Sequence, residues 1–180
     1  MAHAELLLFL QDLSWSMYKP VASATKIVCH PEEQSMFKRT TFEPLTAEEL
    51  GAELLDGAIA VRLSVGDGKI DATIGADGRQ TTLRGVLDAL DAALEQRPTA
   101  EMLADWAACG GLEAAEAASR RWQDGEGADR ARGPTLFEAW DGNENALTVR
   151  HVIGNGCCAF FEGLSASDDE GGVFRVCIGT

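Results

Sequence analysis

Three histidines and five cysteines carry most of the chemistry open to this 180-residue chain. The two types meet in sequence twice, at Cys29-His30 and at His151 with Cys157-Cys158. A thiol becomes a nucleophile when a base draws off its proton, so thiol and imidazole must meet in space. Neighbours on a strand point to opposite faces, and adjacency alone does not make Cys29 and His30 a dyad. His151 is separated from Cys157-Cys158 by Gly154-Asn155-Gly156. If those glycines turn a hairpin, one cysteine lies across from the imidazole. His151, Cys157 and Cys158 are therefore the candidate catalytic residues of a cysteine-dependent enzyme. No third residue that would orient the imidazole can be named, nor can oxyanion donors. A metal at the same place would need remote ligands such as Cys177, and the chain has no CxxC pair. The expectation is no metal and no cofactor, with core thiols as the competing reading of these cysteines.

Other patterns reduce to local structure. Asp141, Asn143 and Asn145 imitate the start of a calcium loop, but Ala146 replaces its glycine and Val152 its final glutamate. The glycine turns GDGKID and GNGCCA fit neither phosphate-binding frame. The acidic groups Glu32-Glu33, Glu48-Glu49 and Asp168-Asp169-Glu170 read as loop and capping residues. Ser165 and Ser167 precede the last of these, a context that suits an acid-directed kinase.

Bulk properties set the class. Hydrophobic residues make up 46% of the chain and charged residues 24%, an ordinary globular composition. The formal charge is −14, from 29 acidic and 15 basic residues, which works against binding a phosphate backbone. Arg120-Arg121 and Lys38-Arg39 are isolated pairs, not a basic stripe. No window reaches the roughly 20 apolar residues of a membrane helix, and the apolar run near the start lacks a basic leader. The odd cysteine count suits a reducing compartment. Together these give an expected cytoplasmic location with no nucleic-acid or membrane partner.

The elements that would position any site centre on residues 58–94. Ile59, Val61, Leu63 and Val65 alternate with smaller or polar residues, Gly66-Asp67-Gly68 turns the chain, and Ile70, Ala72 and Ile74 return. Asp77-Gly78 is a second turn signal. Thr81 or Thr82 caps a helix with Val86, Leu87, Leu90 and Leu94 on its inner face, while Asp88, Asp91 and Glu95 face water. Upstream, residues 4–13 suit a short helix and residues 24–30 a strand, and residues 31–43 show no period. Thr46 with Glu49 forms a capping box, with Leu45 and Leu50 at the staple positions, for a helix over residues 46–56 ended by Gly57. Downstream, helices are expected over residues 99–109 and 112–122, and residues 124–134 form a polar, flexible loop. Leu136, Phe137 and Trp140 resume the core. Residues 147–153 read as a strand turned at Gly154-Asn155-Gly156 into residues 157–161. Residues 165–172 read as an acidic excursion and residues 173–178 as the closing strand.

The stretch from Ala58 to Leu164 resembles a family of small uncharacterised fungal proteins. The likeness rests on Thr82 to Leu90 (TLRGVLDAL), Arg120-Arg121, and Phe160 to Leu164. Gly85 and the loop over residues 124–134 depart from that pattern. The resemblance implies an α+β unit and brings no activity or catalytic residues with it.

The chain thus reads as one α+β domain over residues 1–180, with a largely antiparallel sheet covered by helices. Its expected function is a non-catalytic protein–protein interaction or scaffold module, with a protein partner. Two alternatives stand beside it: the cysteine enzyme, and a small-ligand carrier lined by Trp106, Trp122 and Trp140.

Overall fold

The computed structural model describes residues 10, 13–30, 39–55, 58–65, 67–74, 81–125, 135–153, 159–166 and 173–179. Alternation builds the first hairpin as expected. Strands β5 (Ile59–Val65) and β6 (Gly68–Ile74) pair antiparallel from Ile59↔Ile74 to Val65↔Gly68. Ile59, Val61, Leu63, Ile70 and Ile74 are buried on one face. On the other face Arg62 lies opposite Asp71 and grips its carboxylate with two bonds of 2.6 and 2.7 Å. That contact holds the Asp71 carboxyl below its usual range.

This hairpin ends a seven-stranded sheet. The other members are β1 (Leu13–Ser16), β2 (Thr25–His30), β3 (Arg39–Pro44), β8 (Phe160–Ala166) and β9 (Val173–Gly179). Their order is β3-β2-β1-β8-β9-β5-β6. All neighbours are antiparallel except β5 and β9, which run parallel through Ala60↔Val173 to Arg62↔Arg175. A bulge between Phe161 and Gly163 in β8 lets Phe161 and Leu164 both face the core despite their odd spacing. β4 (Glu53–Leu55) and β7 (Thr81–Thr82) form a separate short pair.

Helices cover one face of the sheet. They are α1 (Ala47–Gly51), α2 (Leu83–Leu94), α3 (Ala100–Ala108), α4 (Gly111–Gln123) and α5 (Val149–Val152). The threonine caps form as read. Thr46 and Glu49 exchange backbone-to-side-chain bonds of 2.7 and 3.2 Å, Thr82 Oγ1 accepts from Gly85 N–H, and Thr99 Oγ1 accepts from Met102 N–H. α2 buries Leu83, Val86, Leu87, Leu90, Ala93 and Leu94 against a core that includes Trp15, Val61, Phe161 and Phe174. The hairpin turn docks on α3, where a Cβ at Gly68 would lie 2.4 Å from Met102 Cγ and 2.7 Å from its backbone nitrogen. The opposite sheet face, with Phe160, Glu162 and Arg175, is exposed. The architecture is α+β with a largely antiparallel sheet.

Several sequence expectations are corrected. The helix read over residues 46–56 ends at Gly51, because Ala52 is extended and β4 pairs with β7. Residues 39–44, which show no period, are an edge strand whose placement comes from β2 and not from an inward apolar face. Leu13 belongs to β1 and not to a helix; the rest of that expected helix, apart from helical Leu10, lies outside the described residues. The strand expected over residues 147–153 does not form: Val149–Val152 is a single helical turn, with Leu147, Thr148 and Ile153 extended on either side of it. Every residue from Val149 to Ile153 is buried, behind a tight 3-10 turn at Glu144–Ala146. Ser165 lies within β8, half-buried, and not in an acidic loop, while Ser167 lies outside the described residues. Of the loop at 124–134, Asp124 and Gly125 are exposed at the end of α4, and the remainder lies outside the described residues. The Asp77-Gly78 turn also lies outside them.

Candidate functional site

His151 sits in α5 and not on a hairpin strand, so the cross-strand geometry that made it a partner for Cys157 or Cys158 does not arise. Both cysteines lie outside the described residues. Thr148 N–H donates to His151 Nδ1 at 3.1 Å, and Thr148 Oγ1 lies 3.0 Å from the same nitrogen. The imidazole therefore takes the part that glutamate plays in an ordinary capping box. Nδ1 accepts, which places the proton of the neutral ring on Nε2. The ring is 9% exposed and meets Phe137 edge-on at 6.2 Å. Burial pushes its pKa below 6.5; Glu95 opposes the shift and Arg150 adds to it.

The sign of the consequence follows by linkage. Below about pH 6.5 the unfolded chain binds a proton that the folded chain resists, so acid lowers stability towards the depressed folded pKa. Tm should fall between about pH 7.5 and 5.5. In His151→Gln, whose amide oxygen still accepts from Thr148 N–H, the slope over that window should flatten. An unchanged slope would refute a neutral, buried His151.

Beside it is a densely bonded polar group. The Arg150 side chain is 7% exposed. Its Nε donates to Glu95 Oε1 and its Nη2 to Asp91 Oδ1, each at 2.7 Å. Nη1 donates to the Met17 carbonyl and, at 3.3 Å, to that of Lys19. The same corner is tied by Tyr18 Oη–H to the Ile153 carbonyl at 2.6 Å and by Val149 N–H to the Gln96 carbonyl at 2.8 Å. Asp91 and Glu95, expected to face water alone, take a guanidinium from a distant segment. The sequence signal available for Arg150 was weak: an arginine between Val149 and His151 in a short run that reads as a strand. Every arm of the guanidinium is engaged, so its role is to join α2, α5 and the turn after β1.

The other chemical candidates are likewise placed by structure. Asp141 Oδ1 accepts from Asn143 N–H and Asn143 Oδ1 from Asn145 N–H, at 2.9 and 3.0 Å, so the calcium-like residues serve the turn. Cys109 is exposed and Cys177 half-buried. Among the described residues no cluster of His, Cys, Asp or Glu could hold a metal ion. Trp106 and Trp140 are buried in the core and Trp122 is half-buried, with none of them lining the cleft described next. Among the described residues no helix is long and apolar enough to cross a membrane.

Two surface features remain. The first is β3, the edge strand, where Phe42 is 62% exposed. The described side chains of β2 and β3 are all half-buried or exposed, so this pair extends beyond the core that the helices cover. The second is a cleft of about 220 Å³ where the end of β3, α1, the turn at Val21–Ser23 and α2 meet. Val21, Ala24, Pro44, Leu45, Leu50 and Leu87 supply apolar wall, and Arg84 and Asp88 stand along the α2 side. Near the cleft, Lys26 Nζ bonds Glu49 at 2.7 Å, and this ammonium with the Thr46 backbone and hydroxyl holds Glu49 down at about 2.

No protein-family model matches the chain, no curated protein matches it, and no solved structure matches it. The resemblance to fungal proteins therefore adds nothing to the reading of the site.

Proposed function

We propose that this protein is a non-catalytic interaction module that takes a protein segment along the outer edge of β3. One observation carries the reading: Phe42, 62% exposed, stands on an edge strand that no described strand covers. A strand at the end of a sheet offers backbone donors and acceptors to an added strand. A large aromatic there is what an added strand would anchor upon. The charge of −14 favours a segment carrying Lys or Arg and works against a second copy of the same acidic chain.

The test is affinity capture from the native cell with three baits. Wild type and Phe160→Asp, altered on the exposed sheet face, should recover the same basic partner. Phe42→Asp should lose it, because a carboxylate replaces the anchor without touching the core. Recovery undiminished by Phe42→Asp would overturn the proposal.

A further inference from the structure

The cleft between α1 and α2 combines three properties that a surface dent lacks. It is lined mainly by apolar side chains, it has room for a small molecule or a single large side chain, and it carries one cation and one anion on the same wall. At about 220 Å³ it would hold roughly seven water molecules at liquid density, room enough for a side chain of leucine or phenylalanine size.

Arg84 and Asp88 are one helical turn apart, at the i and i+4 positions of α2, yet no ion pair joins them among the described contacts. The order explains this in part, since a cation N-terminal to the anion is the poorer arrangement on a helix. Arg84 is also the second residue of α2, where the helix dipole disfavours a positive charge. Helix stability therefore gives no reason for arginine at this position. Its guanidinium is exposed at an apolar mouth and makes no hydrogen bond or ion pair with any described residue. Arg150, which the fold uses, shows the contrast: it meets two carboxylates and two carbonyls.

From this we infer that the cleft is a binding site for a free apolar α-amino acid of about leucine to phenylalanine size. The side chain would fill the space among Val21, Leu45, Leu50 and Leu87. The α-carboxylate would meet Arg84 and the α-ammonium Asp88. A simple carboxylic acid would satisfy the arginine but face the Asp88 carboxylate without compensation, and an amine would meet the reverse conflict. Only a ligand bearing both charges beside an apolar group matches all three features. This site adjoins the end of β3 at Pro44 but does not use Phe42, and its test reads amino-acid binding independently of the partner proposed for the strand edge.

The test is titration of the ¹⁵N-labelled full chain with L-leucine, L-phenylalanine, leucinamide and 4-methylpentanoate, followed by amide shifts. L-Leucine or L-phenylalanine should give saturable shifts centred on Val21, Leu45 and Arg84, with Kd in the range of about 0.1–1 mM expected of so small a ligand. Leucinamide and 4-methylpentanoate should bind about tenfold more weakly or worse, each losing one charge contact. Arg84→Gln and Asp88→Asn should each weaken leucine by about tenfold, and Ala22→Trp, which fills the exposed rim, should abolish binding. All three positions are exposed, so unchanged melting curves will show that the variants fold. The inference is overturned if neither amino acid gives saturable shifts up to about 10 mM, or if 4-methylpentanoate binds as tightly as leucine.

Discussion

Replacing Gly111 by alanine is expected to cost about 3 kcal/mol, although alanine is ordinarily the better helix residue by up to about 1 kcal/mol. Gly111 is the first residue of α4, and a Cβ there would lie 2.1 Å from Trp106 Nε1, 2.3 Å from Cδ1 and 2.6 Å from Cε2. These are atoms of a rigid ring, and Trp106 is 2% exposed. The ring cannot retreat without displacing the core. Its Nε1 has no hydrogen-bond partner among the described residues, so the indole is placed there by packing against the glycine. Steric overlap outweighs helix propensity. For a chain of this length the change in Tm is roughly 6–12 °C downward, measured by calorimetry or circular dichroism. In a Trp106→Leu background the same glycine substitution should cost less than about 1 kcal/mol, since the obstructing ring is gone. Equal costs in the two backgrounds would show that the contact is not the cause.

Arg150→Met is the second large effect, expected at about 2–3 kcal/mol. Methionine keeps most of the apolar volume, so the loss isolates the guanidinium. Without it the Met17 carbonyl loses its Arg150 donor, and Asp91 and Glu95 are left close together with no cation between them. The figure lies below that for a fully buried ion pair because the Asp91 and Glu95 side chains are 33% and 60% exposed and solvent recovers part of their charge. Arg150→Lys should restore only a minor part, since one ammonium cannot reach the four acceptors that the planar fork spans. Denaturant unfolding of the three proteins would read this directly, and a midpoint unchanged in Arg150→Met would refute the role assigned to the residue. Removing the fork should also loosen the segment after β1, raising amide exchange at Tyr18 and Lys19 more than at α3.

What the sequence alone determined is local. The β5–β6 hairpin, the caps at Thr46, Thr82 and Thr99, and the inner face of α2 each arise from interactions among residues within one or two turns or across a tight loop. Periodicity and cap chemistry encode such interactions directly, so these elements and the α+β class were legible. The tertiary structure decided the rest. Residues 39–44 became a strand because β2 offered an edge, not because of any pattern of their own. Residues 147–153 read as a strand from a short apolar run, and the helical turn at Val149–Val152 goes with the Thr148–His151 cap and the burial of Val149 and Val152 in the core. The site read from the sequence depended on that strand. With His151 in a helix the cross-strand placement does not arise, and its Nδ1 serves a backbone amide. Arg150 pairs with Asp91, 59 positions away, and bonds Met17 from 133 positions away. Those separations explain why it was missed: a lone arginine in a short apolar run looks the same in sequence whether it faces water or joins three elements. The cleft beside Arg84 has the same origin, since its walls come from four segments that only the folded chain brings together.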